Sequence, residues 1–262
     1  MNSETLNSEA LSSETLLSTR GLDKTFTLHA VDGRIIDGLQ GIDLDVHVNE
    51  HLCLAGLSGA GKSSLLKCIH RTYASDRGAI LYRTEANVVV DLLELADRDM
   101  ADLREREIGY VSQFLRAEPR RGVLDVVTRR AVRMGVAHDE AADRAAEVLR
   151  RVNIDENLWA TYPSLLSGGE KQRVNLAAGL VVAPRLVLLD EPVSALDPAN
   201  RSAVLDVIAD LTARGATVLS VFHDLGAIRQ LADRVAVMSG GRIIDIGPAG
   251  PVLDRGMELI PT

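Results

Sequence analysis

A glycine-rich segment of this chain combines the residue types that bind nucleotide phosphates. It reads Gly-Leu-Ser-Gly-Ala-Gly-Lys-Ser over residues 56–63 and fits G-x-x-x-x-G-K-S/T at every fixed position. Glycines let backbone N–H groups approach phosphate oxygens, and the N-terminus of a following helix adds partial positive charge. We expect Lys62 to reach the β- and γ-phosphates and Ser63 to bind Mg²⁺. The predicted phosphate-binding residues are Gly56, Leu57, Ser58, Gly59, Ala60, Gly61, Lys62, Ser63 and Ser64.

Two neighbouring carboxylates follow an apolar run in the second half of the chain. Residues 186–189 read Leu-Val-Leu-Leu, and Asp190 and Glu191 come directly after them. A strand that ends in two acidic residues is often only a solvated turn. In a chain with a phosphate loop, we interpret Asp190 as a Mg²⁺ ligand and Glu191 as the base that activates water. Neighbouring strand residues point to opposite faces, so the pair can serve two roles.

A third segment, Ser167-Gly168-Gly169-Glu170, predicts the start of a helix. Ser167 and Glu170 have the spacing of a capping box. Two glycines in a first helical turn cost about 1 kcal/mol each relative to alanine, and a cap does not need them. They are useful where a phosphate approaches the backbone at a helix N-terminus.

The elements that must position these residues alternate between strand and helix. Short apolar runs at 52–55, 186–189 and 216–222 predict buried strands, and the helical patterns between them indicate an α/β fold with a largely parallel sheet. From about 114 to 165 the apolar residues recur at helical spacing, which predicts an inserted helical subdomain. Order is expected from about residue 20.

The chain ends are predicted to differ from this domain. Residues 1–19 are rich in Ser and Glu and nearly repeat every five residues, which favours a disordered tail, with a weak amphipathic helix as the alternative. Residues 20–246 form the predicted domain, and 247–262 are a C-terminal extension.

Composition narrows the class of protein. The 262 residues include 29 basic and 37 acidic ones, a net charge of −8, which argues against a nucleic-acid-binding protein. There is no apolar run of about 18 residues and no secretory signal pattern, so we expect a cytoplasmic protein. The two cysteines, Cys53 and Cys68, lie in apolar segments and are predicted to be reduced core residues.

Residues 22–246 resemble the ATP-binding cassette (ABC) ATPases in the order of their motifs. The phosphate loop is followed by Gln113, by Ser167-Gly168-Gly169, by Asp190-Glu191, by Ser194-Ala195-Leu196-Asp197 and by His223. The resemblance implies an ABC-type P-loop NTPase with a RecA-like core, an antiparallel β subdomain and an inserted α-helical subdomain. The implied activity is Mg²⁺-dependent hydrolysis of ATP.

The same resemblance implies further roles for single residues. Gln113 and His223 would position water and the γ-phosphate, with Gln113 also a metal ligand, and Phe26 would stack on adenine. Two cassettes would face each other head to tail as a homodimer or heterodimer, with Asp197 in communication between them. Residues that would act on the ATP of the opposite subunit are Ser167, Gly168, Gly169 and Glu170.

A closer resemblance is to the ABC-type L subunit of the phosphonate carbon–phosphorus lyase system. It rests on residues 108–116, with Phe114-Leu115-Arg116 the most specific part, and on residues 157–159, 167–175 and 221–224. It implies soluble carbon–phosphorus lyase subunits as partners. The chain departs from the wider family at Val193, where Thr is usual, and at Ala178, where Arg is usual.

Three functions stay open at this point. The first is an ATPase subunit of the carbon–phosphorus lyase complex in phosphonate metabolism. The second is the nucleotide-binding subunit of a membrane transporter of lipoprotein-release or exporter type, peripheral to the inner membrane through a permease. The third is a scaffold that binds ATP without turnover, although Lys62, Gln113, Asp190, Glu191 and His223 are all present.

Overall fold

The computed structural model describes residues 11–28, 34–112 and 121–255. The strands are β1 Thr15–Leu28, β2 Arg34–His47, β3 His51–Ala55, β4 Arg77–Arg83, β5 Val89–Asp91, β6 Ile108–Val111, β7 Leu186–Asp190, β8 Thr217–Val221, β9 Arg234–Ser239 and β10 Arg242–Pro248. The helices are α1 Lys62–Ile69, α2 Asp97–Arg106, α3 Val123–Arg133, α4 His138–Arg151, α5 Gly168–Leu180, α6 Pro198–Ala213, α7 Leu225–Leu231 and α8 Ala249–Arg255. None of these described helices is long and apolar enough to cross a membrane.

A six-stranded sheet in the order β10-β9-β3-β8-β7-β6 forms the centre of the fold. Its strands β9, β3, β8, β7 and β6 run parallel, and β10 pairs antiparallel with β9. Strands β3, β7 and β8 are buried along their whole length, as the continuous apolar runs predicted. Their carboxyl ends therefore open onto one edge of the sheet, where α/β folds bind ligands.

Two hydrophobic cores lie on opposite faces of this sheet. In β3, Leu52 and Leu54 face one core, while Cys53 and Ala55 face the other. This alternation follows from the two-residue period of a strand. Both cysteines are buried and free, as predicted, and burial raises the pKa of the Cys53 thiol to about 11.

A four-stranded antiparallel sheet, in the order β2-β1-β4-β5, packs on the first of these cores. Strand β1 begins at Thr15, so the expectation of a tail extending to residue 19 is wrong for its last residues. The reason is that Leu16 and Leu17 are fully buried in the core, which offsets the polar character of the segment. Residues 1–10 lie outside the described part of the chain.

The predicted helical insertion joins the second core. Helices α3 and α4 and the 3₁₀ turns Glu156–Leu158 and Pro163–Leu165 lead into α5. Helix α4 buries Ala141, Ala145 and Leu149 on one face, at the predicted helical spacing. The predicted fold class, with a RecA-like core, an antiparallel β subdomain and an inserted helical subdomain, is confirmed.

Gly179 allows α5 to pack closely on the sheet. A Cβ atom at this position would overlap with Cγ2 of Val111 in β6. Alanine would favour the isolated helix, so this glycine reflects packing between helix and strand rather than helix propensity.

We expect Gly179→Ala to lower the free energy of unfolding by about 1–3 kcal/mol, because the added methyl group overpacks the α5–β6 contact. Urea unfolding measures the change. Gly250→Ala in α8 is the matched control, since no described atom lies within 4 Å of a Cβ there. Equal stability of the two variants would contradict the packing explanation.

His51, at the start of β3, is a buried imidazole. It is fully buried, and its Nε2 lies 2.7 Å from Ser220 Oγ. Burial lowers the pKa of His51 from 6.5 to about 3. Between these two values the unfolded chain binds more protons than the folded one, so stability falls as the pH falls below 6.5.

His51→Gln should reduce this loss of stability in acid. Between pH 7 and pH 5, His51 accounts for about 2 kcal/mol of the wild-type decrease in the free energy of unfolding. Urea unfolding at the two pH values gives the difference for each protein. His138→Gln, which replaces an exposed histidine, should keep the wild-type decrease. A decrease in His51→Gln as large as that in the wild type would show that His51 does not titrate in this way.

Candidate nucleotide-hydrolysis site

The phosphate loop connects β3 to α1 at the carboxyl edge of the sheet. Gly61 has φ 102° and caps α1 in the left-handed conformation. A Cβ at Gly61 would overlap with the carbonyl oxygen of Gly38, so the loop needs glycine there for both its conformation and its packing. The N-terminus of α1 therefore opens toward the loop, as phosphate binding requires.

Lys62, the first residue of α1, is buried against the loop that precedes it. Its Nζ donates hydrogen bonds to the carbonyl oxygens of Gly56, at 2.7 Å, and Leu57, at 2.8 Å. Burial lowers the pKa of Lys62, and the negative charge of Glu191 opposes that shift. The ammonium group is thus held at the cavity by carbonyl oxygens.

Ser63 and Asp190 meet as the phosphate-loop and strand motifs predicted. Ser63 Oγ donates a hydrogen bond to Asp190 Oδ1 at 2.7 Å, and Asp190 is 7% exposed. A hydroxyl and a carboxylate oxygen are ligand types that Mg²⁺ accepts beside substrate phosphates. These two residues therefore fit a magnesium ion.

Tyr110 is a site residue that sequence reasoning missed. Its hydroxyl donates a hydrogen bond to Asp190 Oδ2 at 2.8 Å, and its ring stacks on His70 at 5.0 Å between centroids. Tyr110 in β6 pairs with Leu188 in β7, and Asp190 lies two residues further along β7 on the same face. This register brings the side chains of Tyr110 and Asp190 together. The sequence does not display this strand register, so no local pattern could identify Tyr110 as a neighbour of Asp190.

Glu191 and His223 form a second pair beside the loop. Glu191 Oε1 and His223 Nε2 lie 2.6 Å apart. Glu191 has φ 53°, a left-handed conformation that costs a non-glycine residue about 1–3 kcal/mol. Strain of this kind concentrates at functional sites, where it aims a side chain.

One cavity of about 270 Å³ collects most of these groups. Phe26 lies on its wall, with its ring edge-on to Tyr73 at 5.3 Å between centroids. A second cavity of about 520 Å³ shares Glu191 and His223. The first cavity is lined by Phe26, Ile36, Asp37, Gly38, Ser58, Gly59, Ala60, Gly61, Lys62, Ser63, Ser64, Glu191 and His223.

The predicted helix start at Ser167 has the expected capping box. Ser167 N donates to Glu170 Oε2 at 2.8 Å, and Glu170 N donates to Ser167 Oγ at 3.3 Å. Hydrogen bonds that the Glu170 carboxylate accepts from the hydroxyl and the backbone N–H of Ser167 lower the pKa of Glu170. Among the described residues, no atom lies within 4 Å of a Cβ built on Gly168, and residues 167–170 do not line the phosphate-loop cavity.

Asp197 and Gln113 are the remaining residues to which the sequence assigns a role. Asp197 caps α6, with Oδ1 accepting the N–H groups of Ala199 and Asn200 at 3.1 Å. Hydrogen bonds from Asn200 lower the pKa of Asp197. Gln113 lies outside the described residues, so its predicted role stays a prediction.

Comparisons with known proteins decide the family. A sequence model described as "ABC transporter" matches residues 39–194. The chain belongs to the ABC transporter family. It is 38% identical over 213 residues to the glutamine transport ATP-binding protein GlnQ of Geobacillus stearothermophilus, a match that covers 80% of this chain and 84% of GlnQ.

Other relatives and solved structures agree. The methionine import ATP-binding protein MetN of Xanthomonas oryzae is 36% identical over 86% of this chain, which spans 65% of MetN, less than two thirds of its length. The dimeric ATP-binding cassette MJ0796, solved with ADP and Pi after hydrolysis, has a TM-score of 0.79 at 25% identity and covers 89% of this chain and 99% of its own. The CbiO1 protein of Clostridium perfringens has a TM-score of 0.72 at 28% identity, with 92% of each chain covered.

As a member of this family, the ABC protein is an ATPase that uses ATP and Mg²⁺. The relatives named here are transport proteins, so the comparisons give the carbon–phosphorus lyase assignment no support. They favour the transporter alternative instead.

We expect Tyr110→Phe to raise the Mg²⁺ concentration for half-maximal ATP turnover about tenfold, because Asp190 Oδ2 loses its donor and the carboxylate its orientation. Mn²⁺ binding followed by electron paramagnetic resonance should weaken in parallel. Tyr162→Phe, at an exposed tyrosine, is the matched control. Metal dependence equal to that of the control would remove Tyr110 from the metal site.

Proposed function

We propose that this chain is the ATP-hydrolysing subunit of an ABC transporter that imports a small solute of amino-acid type. The observation that carries the ATPase assignment is the convergence of the phosphate loop with the Glu191–His223 pair in one cavity. The names of GlnQ and MetN support the transport assignment, and that of MetN, an import protein, favours import over the exporter or lipoprotein-release type.

The proposed mechanism is in-line attack of water on the γ-phosphate of ATP. Glu191 accepts a proton from the water, whose oxygen bonds to phosphorus as the bond to the β–γ bridging oxygen breaks. The products are ADP and phosphate. His223, 2.6 Å from Glu191, orients the carboxylate and contacts the γ-phosphate.

Binding of ATP exchanges contacts that the site already makes. Lys62 leaves the carbonyl oxygens of Gly56 and Leu57 for the β- and γ-phosphates. Ser63 and Asp190 would hold Mg²⁺, which when bound neutralises part of the charge on those phosphates. Phe26 would stack on adenine from the cavity wall.

A second subunit is part of the proposal. The open space at Gly168, together with the position of residues 167–170 away from the cavity, supports contact of this helix end with ATP on another subunit. The dimeric state of MJ0796 also supports this arrangement. The partner can be a second copy or a sister subunit, and a permease would bring the assembly to the membrane.

The other two functions have weaker support. The resemblance to the carbon–phosphorus lyase subunit rests partly on residues 113–116, which lie outside the described part of the chain. A scaffold without turnover is disfavoured because Glu191 and His223 are present and paired.

Glu191→Gln should retain ATP binding, lose turnover by about 10²–10⁴-fold as expected for loss of a general base, and accumulate a closed dimer. The trapped variant is tagged, extracted in mild detergent with ATP and Mg²⁺, and its copurifying proteins are identified by mass spectrometry. A multi-spanning membrane protein is the expected partner.

Glu94→Gln, at an exposed glutamate, is the control and should turn over ATP normally without forming the trap. Recovery of soluble phosphonate-pathway subunits in place of a membrane protein would overturn the transporter assignment. Unchanged turnover in Glu191→Gln would remove Glu191 from its proposed role.

A further inference from the structure

Gln172 is a buried amide that joins α5 to the turn after β7. It is 3% exposed and lies in the second turn of the helix that starts at Gly168. Its Nε2 donates a hydrogen bond to the carbonyl oxygen of Glu191 at 2.8 Å, and its Oε1 accepts one from Ala195 N at 3.2 Å. Both polar groups of the amide are therefore bound to the backbone of residues 191–195.

The turn that Gln172 contacts carries a strained residue. Glu191 has φ 53°, and its N–H donates to the carbonyl oxygen of Val221 at 3.2 Å. The carbonyl oxygen of Glu191 accepts the hydrogen bond from Gln172 Nε2 and a longer one, of 3.2 Å, from Ser194 Oγ. Because the backbone conformation at a Cα fixes the direction of its side chain, the Gln172 bond helps to aim the Glu191 carboxylate at His223.

The N-terminal end of the same helix, one turn before Gln172, is the Ser167-Gly168-Gly169 segment. A Cβ at Gly169 would lie 3.5 Å from both Ala195 O and Leu196, so this end also packs on the turn that Gln172 holds. Ser167 and Gln172 are five residues apart, about 7.5 Å along the helix axis at about 1.5 Å per residue. Helix α5 therefore connects the Ser167 end to the carbonyl of Glu191 through Gln172.

We propose that Gln172 is a positioning residue that sets the conformation of Glu191 and links it to the Ser167 end of α5. The inference rests on the proposed function, in which Glu191 is the base and residues 167–169 contact ATP on a second subunit. Contact with that ATP would then adjust the base in the subunit's own site. An amide is required because it donates and accepts from one planar group.

Gln172→Glu and Gln172→Met test this inference with side chains of similar length. Glutamate places an acceptor against the Glu191 carbonyl, and methionine can make neither bond. We expect kcat for ATP to fall about 10- to 100-fold in both variants, as misplacement of a catalytic group does. The KM and the dissociation constant for ATP should stay within about twofold, because the phosphate loop is unchanged.

Gln40→Glu is the matched control. Gln40 also bridges two groups, donating to the carbonyl oxygen of Gly240 at 3.1 Å and accepting from Arg242 at 2.8 Å, and it lies outside the proposed machinery. Its kcat should equal that of the wild type. A fall in ATP affinity that accounts for the whole loss of activity at Gln172 would overturn the positioning role.

A double variant shows whether Gln172 acts through Glu191. If it does, adding Gln172→Met to Glu191→Gln should leave the residual single-turnover rate unchanged, since the carboxylate being positioned is already gone. Multiplied losses in the double variant would mean that Gln172 acts elsewhere. Failure of the proposed function has a different signature, because Glu191→Gln alone would then keep its turnover.

Discussion

The parallel pairing of β3, β8 and β7 is the constraint on which the rest of this structure depends. Leu52 of β3 lies beside Leu219 of β8, and Leu219 beside Leu188 of β7. Because the three strands run the same way, the phosphate loop, His223 and the acidic pair leave the sheet at one edge. A shift of one residue in any strand would exchange the faces of its side chains between the two cores, so the close packing of both cores depends on this register.

The polar groups at this edge have hydrogen-bond partners within the chain. The Lys62 ammonium donates to carbonyl oxygens of the phosphate loop. Ser63 and Tyr110 donate to Asp190, and His223 Nε2 lies within hydrogen-bond distance of Glu191 Oε1. Each group needs a partner because burial of an unpaired charge or dipole is costly. In the proposed function, Lys62, Ser63 and Asp190 exchange these partners for nucleotide and metal.

Helix α5 ties the site to the inserted helical subdomain through three nearby polar side chains. Gln172 contacts the turn after β7, Arg173 donates to the carbonyl oxygen of Val152 at 2.9 Å, and Asn175 donates to that of Ser112 at 2.6 Å. These contacts anchor the helix both to the sheet edge and to the inserted subdomain.

The sequence by itself determined the phosphate loop, the acidic pair, the capped helix at Ser167 and the α/β fold class, because each depends on residues close together in the chain or on a local hydrophobic period. It misplaced the start of order, since Leu16 and Leu17 become core residues only when β2 and β4 flank them. The tertiary structure alone decided that Tyr110 reaches Asp190 and that Gln172 holds Glu191. Those contacts join residues far apart in the chain, and their distances depend on strand register and helix packing rather than on any local pattern.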